Sequence, residues 1–350
     1  MVIIGIDSHK RTHTVVAIDE AGRKLGEKTV RTTTDGHLEL VAWAVARYAE
    51  RTWAQEDCRH LSRRLEQDLL TAGEQVLRVP PKLMAGARRS GREPGKSDPI
   101  DALAVARAAL REPDLPVARL DGPERDLRLL VDHRDDLVAE RTRDCARLRW
   151  HLHELAPGTE PAPRSLDRAK VLAALEAQLA GLPGTVARLA RSLVARIQAL
   201  TAEIDALERE IAALIRGLAP SLLALPGCGA LTAAKLVGET AGVDRFRSRA
   251  AFARHNGSAP VPVWSGNDVR HRLSRGGNRQ LNAALHRIAI TQVRIGAEGR
   301  RYFDRRVAAG DTTTEAYRAL RRRLSDEVFR RMGHDHRSQA ASRASLAMAA

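Results

Sequence analysis

Val2-Ile3-Ile4-Gly5-Ile6-Asp7-Ser8-His9-Lys10 (residues 2–10) decides how this chain is read. Its apolar run has the composition of a buried strand and stops at a carboxylate. A second short apolar stretch, Thr52-Trp53-Ala54, leads into Gln55, Glu56 and Asp57. Of these two acids strand parity favours Glu56, leaving Asp57 to cap the helix that follows. Lys96-Ser97-Asp98-Pro99-Ile100-Asp101-Ala102 adds two carboxylates at the start of a helical pattern. Carboxylates at the ends of buried strands repel one another in a low-dielectric setting and become tolerable together around a divalent cation. The constellation therefore points to metal-assisted phosphoryl transfer, with Lys96 placed to meet a phosphate.

Outward from that stretch, residues 2–8, 12–19 and 24–33 read as three strands, the last two separated by the turn Asp19-Glu20-Ala21-Gly22. A helix over 36–49, a strand over 51–56, a helix over 59–73, a strand over 75–79 stopped by Pro80-Pro81, and a helix over 99–111 follow. Three strands and then alternating helix and strand imply a mixed sheet covered by helices. That order resembles the ribonuclease H-like fold, on whose sheet strand-end acids converge at one edge.

Each acid also has a plain structural reading. Asp98 before Pro99 is a good N-cap, and Asp101 favours the helix dipole, so capping alone accounts for both. Their spacing of three also puts the carboxylates on one helical face. Asp7 could end a strand at a turn, or belong to the phosphate loop of an actin-like sugar kinase, which shares the fold. That loop takes glycine after the aspartate, where Ser8 stands here. His9 and His13 have ligand-like spacing, but positions beside a hairpin read as surface.

The 350 residues suffice for two domains and an extension, and the net charge is +15. Residues 241–350 hold 22 Arg, no Lys and 9 acids, hence +13 of that charge. So concentrated a positive field favours a polyanion, most simply nucleic acid. Aromatic residues are 3 % of the chain, too few for a grip built on base stacking, so backbone charge and helical shape are the features held. Cys58, Cys145 and Cys228 are far apart in sequence and read as packed thiols in a reducing cytoplasm. No apolar run approaches the ~20 residues of a membrane span, and no signal peptide is evident.

Residues 124–155 keep a period near 3.5, and a second long helix has the seam Leu193, Ile197, Leu200, Ile204, Leu207, Ile211, Leu214, Leu218. Spacings alternating between 4 and 3 are the coiled-coil rhythm. Such a seam serves either an intramolecular hairpin or, the reading favoured here, a contact between subunits. The chain thus divides into an α/β unit at 1–115, a coiled-coil region at 120–218 with a Pro-rich break at 156–185 and a short helix near 167–180, a mostly helical domain at 219–332, and a disordered tail at 333–350.

Two motifs stand in the helical domain. Leu225-Pro226-Gly227-Cys228-Gly229 opens a helix in the manner of a helix-hairpin-helix turn. Backbone amides at Gly227 and Gly229 would cradle a phosphate, with Lys235 following on that helix, unless the segment is an ordinary interhelical turn. Ser258-Ala259-Pro260 through Ser265-Gly266 leads to Arg270-His271-Arg272-Leu273-Ser274-Arg275-Gly276-Gly277-Asn278-Arg279. From chemistry alone this is a Ser-Gly turn in a basic loop. A serine nucleophile is the second reading, the cations offsetting charge that develops on phosphate.

Taken in order, Gly5-Ile6-Asp7-Ser8-His9-Lys10, the Lys96 to Ala102 segment, the Leu225 to Gly229 turn and the Ser258 to Arg279 stretch resemble the transposases of the insertion sequence 110 type, also called bridge-RNA-guided recombinases. The resemblance covers nearly the whole chain. It implies a RuvC-like N-terminal domain whose Asp-Glu-Asp-Asp set is Asp7, Glu56, Asp98 and Asp101. It implies Mg²⁺ as cofactor, two ions, with Mn²⁺ the alternative, and a DNA-attacking serine at Ser265. It further implies donor and target double-stranded DNA, a structured guide RNA, and a homo-oligomer (a dimer or dimer of dimers) joined through the coiled coil. Such an enzyme is bacterial, cytoplasmic and nucleoid-associated. One departure is visible: the family's glutamate strand is more apolar and ends in Glu before a small residue, where Ala54-Gln55-Glu56-Asp57 stands here. Lys96, Gly227, Gly229, Lys235, Arg270, Arg272, Arg275 and Arg279 are the candidate nucleic-acid contacts. The rival reading is a junction-resolving, structure-specific endonuclease that uses the same acids and water. A non-catalytic nucleic-acid-binding protein is a third.

Overall fold

The computed structural model describes residues 1–57, 61–81, 83–84, 97–113, 115–158, 160–265, 268–272, 274 and 276–349; at 264–265, 268–270, 343–344 and 346–349 the description is of the backbone. Two compact units result, Met1–Asp121 and Gly122–Ala350.

Unit 1 carries strands β1 (Val2–Ser8), β2 (Thr12–Ile18), β3 (Lys24–Arg31), β4 (Arg51–Glu56) and β5 (Val76–Val79) in the order β3-β2-β1-β4-β5. β1 pairs antiparallel with β2, and β2 with β3, while β1, β4 and β5 run parallel. This mixed topology is the ribonuclease H-like arrangement expected from the element order. Helices α1 (Thr34–Val45), α2 (Arg63–Thr71) and α3 (Asp98–Arg111) cover the sheet.

β1 lies in the middle and is covered on both faces, which is why its sequence is a continuous apolar run rather than an alternation. Ile4 and Ile6 join Val15, Ala17, Leu40, Trp53 and Leu65 on the side of α1 and α2. Ile3 joins Val16, Ile18, Ala54 and the alanines of α3 on the other. Between Ile3 and Asp7 on that second face stands Gly5. A Cβ there would lie 2.2 Å from the Ala102 carbonyl oxygen and 2.5 Å from the Ala106 amide nitrogen. Only glycine lets α3 lie this close on the strand, and the small residues Ala102 and Ala106 present the matching surface.

Unit 2 contains α4 (Pro123–Leu155), α5 (Ala169–Ala180), α6 (Thr185–Leu218), the single turn α7 (Pro220–Leu223), α8 (Ala230–Thr240), a 3₁₀ turn (Val243–Arg245), α9 (Arg249–His255), a two-stranded hairpin of β6 (Val261–Ser265) and β7 (Asp268–Arg272), α10 (Arg279–Arg294), α11 (Glu298–Ala308) and α12 (Thr313–Ala349). Most of the α6 seam is filled within the chain, chiefly by α4, with Leu214 left exposed. Leu127 and Val131 meet Ile211 and Ile215, Leu137 meets Leu200 and Ile204, and Leu148 and Leu152 meet Val194 and Ile197. Early α4 thus lies against late α6, an antiparallel hairpin. Arg134 pairs with Glu208 at 2.5 Å and Arg196 with Asp144 at 2.9 Å along its edges. This corrects the assignment of the seam to a contact between subunits. The hairpin and the later helices also share one core, because Leu127, Val131, Ile211 and Ile215 pack with Leu236, Leu285 and Val328.

Two further expectations change. The segment from 333 is not a disordered tail but the continuation of α12. The packing stripe of α12, Val328 and Met332, continues into it as Asp335 and Gln339, the four spaced 4, 3 and 4 on one helical face. Val328 and Met332 are buried, Asp335 Oδ1 accepts the Ser221 amide at 3.2 Å, and Gln339 Nε2 donates to the Leu218 carbonyl at 2.5 Å. The basic stretch around Ser265 is a β-hairpin rather than a loop. Cys145 and Cys228 are free thiols, and burial pushes Cys228 up to about 12, as befits a packed residue; Cys58 lies outside the described residues. Among the described residues no helix is long and apolar enough to cross a membrane.

Candidate functional site

The close seat of α3 on Gly5 determines what happens two residues further along β1. Asp7 falls on the same face as Gly5, and the start of α3 reaches toward it. Ser97 takes the N-cap, so the helix begins with Asp98 itself, one residue earlier than expected. Asp7 Oδ2 and Asp98 Oδ1 both approach one imidazole nitrogen: His9 Nε2 is 3.0 Å from the first and 3.3 Å from the second. One ligand atom from each of Asp7, His9 and Asp98 lies within 4.8 Å of the others. Asp101 is buried beside them. Burial raises the Asp7 carboxyl above its ordinary value, the His9 contact opposes this, and the charges of Asp101 and Asp98 add to the rise. Both acids of α3 therefore act on Asp7 through space.

Glu56 is brought in by register. The parallel pairing of β1 and β4 ends at Ile6–Gln55, so the next residues on the two strands are Asp7 and Glu56. Ala54 belongs to the α3 face and Gln55 to the other, where its amide donates to Glu66 at 2.8 Å. Glu56 thus shares the face of Asp7. Asp57 has the opposite parity and acts on Arg78, whose guanidinium is held above its ordinary value first by hydrogen bonding to Glu66 and, less, by the charge of Asp57. Of the two acids, Glu56 is the one on the face of Asp7. His9, read from sequence as surface, belongs to the cluster; the signal was its position two residues beyond Asp7, since alternate residues of an extended chain share a face. His13 is neither surface nor site. It is 1 % exposed on the far side of the sheet, with its ring 5.2 Å from that of His37. Lys96 lies outside the described residues.

In unit 2 the sequence motifs turn out to be structural joints. Gly257 and Gly277 cross at the base of the β6–β7 hairpin with φ of +70° and +92°. A Cβ on Gly277 would lie 2.7 Å from the Gly257 nitrogen and from the His255 carbonyl oxygen. The Asn278 side chain caps α10 and donates to Glu239 at 2.5 Å. Asn282 donates to the Asn256 carbonyl at 3.0 Å, and the buried Asn256 amide donates to Ser325 Oγ at 2.8 Å. Beyond this clasp, Ser265 closes β6 and pairs with Asp268 of β7. Arg270 lies in β7; Arg272 and Arg279 are exposed; Arg275 lies outside the described residues, as do the side chains of Ser265 and Arg270.

The Pro226-Gly227-Cys228-Gly229 turn precedes α8 with Gly227 at φ +83°. It packs on α10, where Gln292 donates to the Pro226 carbonyl at 2.8 Å, and an open hollow of about 470 Å³ lies in front of it. Lys235 does not follow the turn outward. Its ammonium is 8 % exposed and sits 2.8 Å from Asp135 and 3.4 Å from Asp132, so it ties α8 to α4 rather than facing a phosphate. The helical period put it on the inner face, where the two α4 acids make burial tolerable.

A second basic feature was not singled out in the sequence. A cleft of about 1190 Å³ is lined by Arg249, Arg301, Arg305, Arg323, Arg330, Arg331 and Arg337 beside Tyr302 and Phe329. Glu327 neutralises part of it by pairing with Arg330 and Arg331, each at 2.6 Å, and those guanidinium groups hold its carboxyl below the ordinary range. Arg323 stacks 4.4 Å from the Tyr302 ring centre.

A mixed sheet with acids gathered at the end of its central strand, in one chain with an arginine-rich helical unit, defines a class: an α/β domain with an acidic edge, followed by a basic helical domain. A transposase family model matches residues 4–157, and one described as "Transposase IS116/IS110/IS902 family" matches residues 219–304. The chain is 30 % identical to the "Insertion element IS900 uncharacterized 42 kDa protein" of Mycobacterium paratuberculosis, over 95 % of each. It is 28 % identical to the "Insertion element IS116 uncharacterized 44.8 kDa protein" of Streptomyces clavuligerus, over 93 % of each. The chain belongs to the IS110 family of insertion-sequence transposases and is a DNA transposase/recombinase. A solved structure, "T. thermophilus RuvC in complex with Holliday junction substrate", aligns with 31 % of this chain and 93 % of its own at 18 % identity and a TM-score of 0.26.

Proposed function

We propose that this transposase exchanges DNA strands by metal-dependent phosphoryl transfer, with Asp7, Glu56, Asp98 and Asp101 holding two Mg²⁺ ions, or Mn²⁺, and Ser265 as nucleophile. The observation that carries the reading is the convergence of Asp7 and Asp98 on one point at the end of β1, with Asp101 buried beside them and Glu56 on the same face. Acids that raise one another's affinity for protons, as Asp101 and Asp98 do for Asp7, are relieved by a bound cation. When bound, such ions polarise the scissile phosphate and neutralise the charge that builds on it. The chain's own part is to hold the carboxylates in place through the α3–β1 contact.

The Ser265 hydroxyl, giving up its proton, displaces one deoxyribose oxygen from phosphorus, and that oxygen leaves as a hydroxyl. The resulting protein–DNA ester conserves the bond energy for rejoining. Arg270, Arg272, Arg275 and Arg279 are suited to backbone phosphates near the attacked bond, and the amides at Gly227 and Gly229 to another. The arginine cleft extends the same electrostatic grip, with Tyr302 able to stack. Donor and target sequence are read by pairing to a structured RNA, consistent with a protein rich in arginine and poor in aromatics. Assembly into a dimer or dimer of dimers would use the outer surface of the α4–α6 hairpin, where Trp150 is 75 % exposed, because most of the seam is already filled. The setting is the cytoplasm and the nucleoid.

Denaturing gels of the purified protein with labelled element-end DNA test this. The expected result is a covalent adduct that requires Mg²⁺ or Mn²⁺, disappears in Ser265→Ala and falls sharply in Asp7→Ala and Asp101→Ala. Full recombination by Ser265→Ala would remove the serine as nucleophile; cleavage by both forms with neither an adduct nor rejoining would make the chain a structure-specific endonuclease that uses water.

A further inference from the structure

We propose that His9 is itself a ligand of the cation at the Asp7–Asp98 centre and turns that centre from Mg²⁺ toward Mn²⁺. The inference rests on the reading of Asp7 and Asp98 as metal ligands. Neighbouring positions of an octahedron with bonds of about 2.1 Å are separated by about 3.0 Å. The His9 Nε2 atom stands 3.0 Å from Asp7 Oδ2 and 3.3 Å from Asp98 Oδ1, the separations of adjacent ligands on one ion. Among the described residues, Asp7, His9 and Asp98 bring one ligand atom each close enough together to share an ion. The imidazole is 51 % exposed and Asp98 48 %, so the far side of the centre is open to water or a phosphate oxygen.

A nitrogen donor has a consequence that carboxylates alone lack. Mg²⁺ is hard and takes oxygen ligands almost without exception, whereas first-row transition ions accept imidazole. Mn²⁺ is the member of that series that still favours carboxylates and water, so two carboxylates and one imidazole fit it better than Mg²⁺. Without a cation, an Nε2–H shared between the two carboxylates gives the same separations, so the ligand role and a counter-charge role are separated by the bond the nitrogen makes to an added ion.

Pulsed EPR of Mn²⁺ added to the full chain reads the bond directly, because a coordinated imidazole nitrogen modulates the echo. Titration calorimetry with Mn²⁺ and with Mg²⁺ reads the preference. Wild type should show the nitrogen modulation. His9→Gln should lose it, and Mn²⁺ affinity should drop on the order of 10-fold or more, with Mg²⁺ affinity changing far less. His9→Asp, which restores an oxygen donor, should bind Mg²⁺ more tightly than His9→Gln does while still lacking the nitrogen signal. Mn²⁺ bound by wild type without nitrogen modulation, or an unchanged Mn²⁺ to Mg²⁺ ratio in His9→Gln, overturns the ligand role and leaves His9 a counter-charge between two acids. Failure of wild type to bind either ion would instead overturn the reading of the centre itself.

Discussion

Glycine permits a backbone crossing in each unit, and the two crossings do opposite things. At Gly5 the strand is pressed against α3 inside a core, and the acids that follow are placed by that glycine and by the buried alanines of α3. At Gly257 and Gly277 two loops cross and clasp the foot of a hairpin, and what lies beyond, such as Val263 and Arg272, faces solvent. A centre that must hold like charges together needs the first kind of support, since misplacement of about 1 Å can cost on the order of 100-fold in rate. An arm that must reach a long polyanion is served by the second, anchored at the base and outward-facing elsewhere.

The sharpest way to break the contrast is Gly5→Ala. The new Cβ meets backbone atoms of α3, which cannot rotate away as a side chain would. α3 must lift, carrying Asp98 and Asp101 with it. The expected outcome is loss of Mn²⁺ or Mg²⁺ binding by calorimetry and a drop in cleavage on the order of 100-fold or more, at a stability cost at or above the ~1–3 kcal/mol of ordinary overpacking. Metal binding equal to wild type would show that the α3–β1 seat does not position the acids.

His13 tests the other side of the same sheet. Burial, then the charges of His37 and His9, push it down to about 4. In the unfolded chain a histidine titrates near 6.5, so between about 4 and 6.5 the unfolded state binds the extra proton and stability rises with pH. The contribution is complete above pH 6.5, is lost as pH falls toward 4, and amounts to roughly 3 kcal/mol over that window. Hydrogen exchange of the full chain at pH 7 and pH 5 should show β1 and β2 losing protection, and His13→Gln should remove that loss; His286 on α10, also pushed below its ordinary value by burial, gives unit 2 a pH dependence of its own that His13→Gln leaves in place. An unchanged loss in β1 and β2 of His13→Gln would remove His13 as its source.

Much of unit 1 was legible because its signals are local. The apolar run of β1, the turn at Gly22 and the proline opening α3 each report their own element, although the cap falls on Ser97 rather than Asp98; strand parity and the start of the next helix favoured Glu56. What stayed hidden was long-range. The spacing of His9 from Asp7 puts the two on one face, but that His9 stands between two acids depends on α3 bringing Asp98 to it. Lys235 follows a phosphate-like turn in sequence, but the helical period turns it toward Asp132 and Asp135. The end of α12 reads as tail because Asp335 and Gln339, polar residues, carry half of its packing stripe. The cleft arginines come from α9, α11 and α12 and form no pattern along the chain.

Gly277→Ala probes the clasp and should have a smaller effect than Gly5→Ala. It adds a Cβ at φ +92° against the backbone of the partner loop, strain worth ~1–3 kcal/mol. Metal binding in unit 1 should be unchanged while adduct formation at Ser265 falls, a split that separates an arm defect from a centre defect. Loss of both together would mean that the substitution unfolds the chain.

The smallest effects are expected on the arm itself and are read by salt rather than by rate. An arginine that neutralises one phosphate releases about one counterion, so removing it lowers the slope of log affinity against log salt by roughly 1. Arg272→Ala and Arg279→Ala are exposed substitutions with little reason to alter the fold. Each should weaken DNA binding several-fold at low salt and flatten the slope by that step. Arg301→Ala in the cleft should flatten it equally if the cleft lies on the same polyanion. A flattened slope in the arm variants with none in Arg301→Ala would confine the phosphate path to the hairpin and leave the cleft to a different ligand; the reverse would make the cleft the main grip and the clasped arm a carrier for Ser265 alone.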